Sequence, residues 1–575
     1  MKIPSFNPNA SLFSNKNLSY TQFIWFVFLS VLWLGCLGWR HLIPSDEGRY
    51  AEIAREMLTS GDWIVPRYND YLYFEKPPLQ MWATALAFKV FGLGEWQARL
   101  WSGLTSLLGI VFSWYTSYRL WGLRAGTLNA LILASSPLWF IGGHFNSLDM
   151  GVAFFMFAAL CSLLLALSAQ AQSLQEKKWM ILCWVMMGLS VLSKGLIGIV
   201  LPGLVLIIYS LTSWDWASWR RMHWVKGLLV FFVITTPWFV LINHRHPSFF
   251  HFFFIHEHFE RFATNDHQRT APWYFFLPLI AVGFLPWLIQ LPHTIKHVFL
   301  ERRNSTMSFK PLWLCLVWIV TITVFFSISE SKLPGYIFPV IPALAMITGA
   351  SLFSLFEKKK LLSEHGSKIW NVQIITFGLL FLVGLFFTSH INRTGEPYEA
   401  LFYAQYSRIV FFALMIGVVG CGLAFWFRKE IVKSFLIYST TLILLALIAG
   451  TGHEVIGRLL SGYDLAKHAK TYIHKNDPVY GVSMLDHTIP FYLEHPLIMV
   501  NFKDELAFGI SQEPERWIEK ESEWLKLWTE SPNTRAFALM TPQKYQQLLE
   551  DQLPMEVIAQ DPLRVIVGKP GISKP

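Results

Sequence analysis

The chain is short of charge. Only 15% of its 575 residues are Asp, Glu, Lys or Arg, where a soluble globular chain carries about 25%. With 53% hydrophobic residues, that deficit excludes a soluble enzyme and points to a polytopic membrane protein. Cysteine is scarce as well. Cys36, Cys161, Cys183, Cys315 and Cys421 all fall inside apolar segments, so neither a disulfide framework nor a cysteine metal cluster is expected. Walker-type and Rossmann-type glycine motifs are missing, which leaves no nucleotide cradle. There is no internal repeat and no low-complexity tract.

Aromatic residues, by contrast, reach 16%, as suits bilayer-facing helices with interfacial belts. The formal net charge is +9. The basic excess sits largely in short loops between apolar runs, which reads as a topology signal and not as a nucleic-acid surface. A span needs about twenty mostly apolar residues, and thirteen segments qualify. They are Tyr20–Arg40, Gln97–Arg119, Arg124–Gly143, Asp149–Leu167, Trp179–Ser193, Gly195–Leu211, Val225–Ile242, Pro272–Pro292, Pro311–Ser327, Gly335–Phe356, Val372–Ser389, Ile409–Phe427 and Phe435–Gly450. Phe23–Trp39 reads as a retained anchor, since it lacks a small-residue cleavage site. Leu79–Phe91 is shorter and reads as lying in the interface.

Thirteen spans with a cytoplasmic N-terminus place every compact basic cluster on one side, including Lys177/Lys178, Arg302/Arg303 and Lys358–Lys360. The loops that carry motifs fall on the other side. The expected organisation is a cytoplasmic tail over 1–19, a membrane domain over 20–452 with its first outer loop at 41–96, and an outer α/β domain over 453–575. In that last part β-like runs at Val479–Val482, Leu497–Val500, Ala536–Met540 and Leu563–Val567 alternate with helical patterns such as Pro542–Asp551.

The chemistry-bearing stretch is Ser45–Pro78, SDEGRYAEIAREMLTSGDWIVPRYNDYLYFEKPP. Acids and bases held against a membrane are expensive unless they have a task. Asp46 and Glu47 follow Ser45, a plausible N-cap, so they suit either the first turn of a surface helix or a catalytic carboxylate site. Arg49, Glu52, Arg55 and Glu56 are spaced for surface pairing along that helix. Two prolines fix Glu75 and Lys76 at a rigid corner, where Glu75 suits a metal and Lys76 a phosphate. Lys194 and Lys332 lie at the same outer level as Lys76. Each either snorkels or joins the arginines in an anion site for a phosphate leaving group. Asp149 opens a span, as a helix-start carboxylate or a site residue. His251, His256 and His258 lie among phenylalanines in SFFHFFFIHEHFER, an amphipathic helix or a sparse metal site.

DEGRYAEIAREML, GDWIVP (Gly61–Pro66) and FEKPP together resemble the bacterial aminoarabinose transferases of lipid A. That family belongs with the protein O-mannosyltransferases among the polyprenyl-phosphate-dependent GT-C glycosyltransferases. SKG (Ser193–Gly195), EHFERF (Glu257–Phe262) and KLPGY (Lys332–Tyr336) follow in the family's order, and TIPFYL (Thr488–Leu493) is the one familiar stretch of the C-terminal part. The resemblance implies a polytopic α-helical GT-C protein of about thirteen transmembrane helices with a periplasmic α/β domain, in the bacterial inner membrane. It implies an undecaprenyl-phosphate sugar donor, an acceptor in lipid A or another envelope molecule, and a link to polymyxin resistance. Asp46 takes the place of the essential first-loop aspartate, with Glu47 and Asp149 as further catalytic candidates. Arg49, Tyr73, Lys76, Lys194, Lys332 and Tyr336 are the donor-phosphate candidates. Glu75 and His258 resemble a metal pair, with zinc the expected occupant. A sibling transferase with another sugar or acceptor stays open. A flippase is disfavoured, because polar residues cluster at one surface instead of at mid-membrane depth.

Overall fold

The computed structural model describes residues 20–260, 271–305, 308–357, 362–390, 397–530 and 534–572. Among these, seven helices are long and apolar enough to cross a membrane, or nine if each of two bent pairs is one span. Shorter apolar helices add Phe26–Gly38, Leu79–Phe91 and Ile197–Ser213. The helix Leu148–Ser168 is buried from Leu148 to Leu167 and is apolar on every side beyond Asp149 in its first turn, as suits a helix at the centre of a bundle. It packs between Glu95–Trp121 and Leu174–Lys194.

Two expected straight spans are broken. Arg124–Gly143 bends by 69° between Leu123–Ala134 and Pro137–Gly143, and Pro272–Pro292 bends by 91° between Phe276–Gly283 and Leu285–Asn304. Pro137 and Pro286 each enter the first turn of the second half. There the missing N–H is harmless, whereas a continuous helix would lose a hydrogen bond and clash.

The first-loop helix Asp46–Ser60 departs furthest from expectation. Instead of lying on the membrane surface, it is buried at every residue from Glu47 to Met57. Ser45 sits at the N-cap position but makes no side-chain cap, and Gly61 closes the helix at φ 73°. The chain then forms a tight hairpin, β1 (Arg67–Tyr68) against β2 (Tyr71–Leu72). Asn69 and Asp70 hold φ of 50° and 61° at its turn, the left-handed pair that a two-residue hairpin needs.

The C-terminal part is a five-stranded sheet of order β4-β3-β5-β7-β6. Its strands are β3 (Val479–Val482), β4 (Ile498–Val500), β5 (Phe537–Met540), β6 (Glu556–Gln560) and β7 (Val565–Gly568). β3 runs parallel to β4 and β5, and β7 runs antiparallel to β5 and β6. The sequence pattern reveals four of these. β6 escapes because it is a mostly exposed edge with a bulge between Val557 and Ala559. One face of the sheet covers Trp524 and Trp528. Residues of the other face, Phe537, Leu539 and Ile566, share one apolar cluster with Tyr50, Ile53, Met57, Tyr68 and Tyr71 of the first loop. The loop is therefore sandwiched between the membrane helices and the α/β part, which is why its helix is buried.

Gly48 is where the two layers meet most closely. A Cβ there would run into the His487 carbonyl and the Thr488 methyl. Gly48→Ala is expected to cost about 1–3 kcal/mol through forced separation. The checks are the midpoint of thermal inactivation and the rate of proteolytic release of the C-terminal part. Unchanged values in both would contradict the close packing.

Candidate active site

Two charge systems share the first-loop helix. In the first, Glu47 is fully buried and accepts from Arg40 at 2.8 and 3.1 Å, from Arg99 at 2.6 and 2.9 Å, and from the backbone N–H groups of Ile43 and Asn146, both at 3.0 Å. Arg99 spends its remaining donors on the carbonyls of Leu37, Arg40 and His41. Burial alone would raise the Glu47 carboxyl. Arg40 and Arg99 overcome this and hold it down at about 2. Every acceptor position of Glu47, a catalytic candidate from its place beside Asp46, is filled within this network. It is a strut joining the first loop, the loop at Asn146 and the span that carries Arg99.

The second system faces the other way. Arg49 is buried, with Asp46 at 3.5 Å and Glu505 of the C-terminal part at 2.7 Å. Asp46 also lies within electrostatic reach of Lys194. The Lys194 ammonium bonds the Asp149 carboxylate and stands 4.6 Å over the Tyr336 ring. Gly335 permits that arrangement, because a Cβ there would collide with the Asp149 carboxylate. At the proline corner Lys76 donates to Glu257 at 2.8 Å and to the Glu75 carbonyl at 2.8 Å, with the Glu75 carboxylate 3.6 Å away. Tyr73 donates to Glu75 at 3.4 Å. Burial pushes the Tyr50 and Tyr73 hydroxyls well above their ordinary value, so both remain protonated donors.

Asp46, Arg49, Tyr73, Glu75, Lys76, Asp149, Lys194 and Tyr336 are thus gathered along one seam. Lys332 is buried in its own loop, donates to the Ser329 carbonyl at 2.5 Å and makes no ion pair among the described residues. Arg55 and Glu52 pair as their spacing suggests, but buried, at 2.6 and 2.7 Å. His251, His256 and the backbone of His258 lie on a π-helical turn, His251–Glu260. The His258 side chain and the last two residues of EHFERF lie outside the described residues.

A metal needs converging ligands, and among the described residues no three His, Cys, Asp or Glu side chains converge in that way. The Glu75 carboxylate lies beside Lys76 and Tyr73, and the side chain of His258, its expected partner at a metal, lies outside the described residues.

Glu505 and Glu257 are the site carboxylates that sequence reasoning missed. Glu257 lay inside a motif whose histidines drew attention. Glu505 lies in KDEL (Lys503–Leu506), an unremarkable polar stretch with no local signal.

Comparison with known proteins extends this geometry. The dolichyl-phosphate-mannose-protein mannosyltransferase family matches residues 75–241, and the aminoarabinose transferase C-terminal domain matches 465–569. The crystal structure of ArnT from Cupriavidus metallidurans bound to undecaprenyl phosphate is 40% identical, with a TM-score of 0.90, over 97% of this chain and 100% of that one. The undecaprenyl phosphate-alpha-4-amino-4-deoxy-L-arabinose arabinosyl transferase of Pseudomonas paraeruginosa is 32% identical over 66% of this chain and 67% of its own length. Its counterpart in Erwinia tasmaniensis is 32% identical over 61% of both. A multi-pass helical body, a charged first loop and an α/β cap define a GT-C-type membrane glycosyltransferase. Within that class, the chain belongs to the aminoarabinose transferase (ArnT) family.

Removing Glu47 strands two buried arginines, so Glu47→Ala is expected to destabilise by about 3–5 kcal/mol, seen as a lower midpoint of thermal unfolding in detergent. Asp46→Asn, at a carboxylate one-third exposed, is expected to leave that midpoint within about 0.5 kcal/mol. The folded value of Glu47 lies below its ordinary 4.5. The strut's stabilisation is therefore complete above about pH 4.5 and is lost as pH falls through about 2.

Proposed function

We propose that the chain moves 4-amino-4-deoxy-L-arabinose from undecaprenyl phosphate to a phosphate of lipid A, at the periplasmic face of the bacterial inner membrane. The observation that carries this reading is the near-complete match to the undecaprenyl-phosphate-bound ArnT. The relatives' names supply the sugar. The basic side chains of the seam supply a chemical reason.

Breaking the bond between the anomeric carbon and the phosphate oxygen builds negative charge on the departing lipid phosphate. Arg49, Lys76 and Lys194 are held in place by carboxylates before the donor arrives. They stabilise that charge without reorganising at the moment of reaction. Tyr73 and Tyr336 add neutral groups beside them. An acceptor phosphate is already ionised near neutral pH, so no general base is required. Asp46 then orients Arg49 and the sugar's amino group. Asp149 holds Lys194 against Tyr336. Lys332 enters the donor site only if its loop rearranges. Within this reading Glu75 and His258 are the residues that would hold a divalent ion, with zinc the expected occupant, and the ion would supply positive charge near the leaving phosphate. No step is routed through it.

The test is mass spectrometry of lipid A from cells with the protein, without it and with Asp46→Asn. A pentosamine-sized addition on phosphate should appear with the wild type and vanish in the other two. Unchanged lipid A in all three, with sugar found on periplasmic proteins or another glycolipid, would replace the acceptor. In purified form Arg49→Ala and Lys194→Met are each expected to lower kcat about 10²–10³-fold.

A further inference from the structure

The segment Asp504–Gln512 of the C-terminal part is wedged between the first loop and the helix 248–260. Phe508 stacks on Phe252 at 3.9 Å between ring centroids and meets Phe74 at 5.5 Å. A Cβ at Gly509 would lie 2.6 Å from the Leu72 carbonyl. Behind the wedge, Arg67 binds Glu513 through two bonds of 2.8 Å. The wedge carries Glu505 to the Arg49 guanidinium. The Glu505 side chain is only 13% exposed, with Oε2 2.7 Å from Arg49 and Oε1 3.2 Å from His487 Nδ1. Arg49 Nε is buried without a hydrogen-bond partner among the described residues.

This arrangement poses an electrostatic problem for any phosphate. One buried arginine is bracketed by two carboxylates, Asp46 and Glu505. Lys194 lies within reach of Asp46, so the carboxylate that answers the Arg49 charge without a second described cation beside it is Glu505, and while ionised it opposes an anion there. A phosphate reaches Arg49 only where one carboxylate leaves or takes a proton. Asp46 is on the same helix as Arg49 and moves with it. Glu505 comes from another part of the chain and can be exchanged.

We infer that Glu505 is a counter-ion that the carrier phosphate must displace from Arg49, so that the C-terminal part sets the affinity of the donor site. This rests on the donor assignment above. The groups facing Glu505 support it. Burial, Glu75, Asp504 and Asp46 raise its carboxyl against the pull of Arg49, to about 7. Tyr68 and Tyr73 stand close by and stay protonated. His487 is held down at about 4, mainly by burial and then by Arg49, so it is neutral across the working range. Glu505 is then the group that takes up a proton as the phosphate arrives. In the free protein Glu505 is held at about 7, and an anion on Arg49 both removes its cation and adds a negative charge, raising it further; binding therefore selects the protonated form, is favoured below about pH 7 and weakens as pH rises through it.

The test uses the full-length protein in detergent and the methyl diester of undecaprenyl phosphate, whose phosphate stays singly charged between pH 5.5 and 8.5. Wild-type affinity is expected to be flat below pH 7 and to fall by a factor approaching about ten per pH unit above it. Glu505→Gln is expected to bind more tightly than wild type at pH 8.5, with a flat profile. Glu505→Asp should keep the slope, which separates charge from packing. A flat wild-type profile overturns the inference, and that measurement needs no variant. Weaker binding by a folded Glu505→Gln protein also overturns it, since Glu505 would then be a brace. If wild type binds no diester at any pH, the donor assignment fails instead, and the two failures are distinct.

Discussion

The bidentate contact of Arg99 with Glu47 is the constraint on which the first loop and everything packed on it depend. Arg99 lies in the helix Glu95–Trp121, and Glu47 begins the first-loop helix. Their pairing, shared with Arg40, ties a polar loop to the membrane body through buried charge. Such a network is stabilising only when complete, because any missing member strands its partners. Here it is complete, and Asn146 extends it to the loop before the helix Leu148–Ser168. That rigidity presets the other side of the helix, where Asp46 and Arg49 face the seam.

The first loop is an interior layer and not a surface feature. Tyr68 and Tyr71 reach His487 and the Arg516 carbonyl at 3.0 and 2.6 Å. Asn69 accepts from the Leu497 N–H at 3.1 Å. Gly48 allows the chain at His487 to close down on the helix. The α/β part thereby completes the site, and it contributes a charge to it. TIPFYL, the C-terminal stretch that resembles the family, begins at this contact.

The seam alternates charge along its length, with Lys194 on Asp149, Arg49 between Asp46 and Glu505, and Lys76 between Glu75 and Glu257. Cations kept paired in this way avoid the cost of lone buried charge and stay oriented for an incoming anion. Under the proposed donor assignment the same pairing lowers their net attraction for phosphate, and affinity follows which carboxylate yields.

The sequence by itself determined the membrane class, the position of most spans, four of the five C-terminal strands and the concentration of acids and bases in the first loop. These are local properties: apolar runs, alternation, proline corners and compact motifs report on their own neighbourhood. The tertiary structure decided what each acid and base faces. Asp46 and Glu47 are adjacent and chemically alike, yet successive helical residues point about 100° apart. One therefore meets the seam and the other meets Arg40 and Arg99. The burial of the first-loop helix and the arrival of Glu505 at Arg49 across more than four hundred residues depend on long-range packing. No local pattern encodes such contacts, because their energies arise only when distant segments exclude water together.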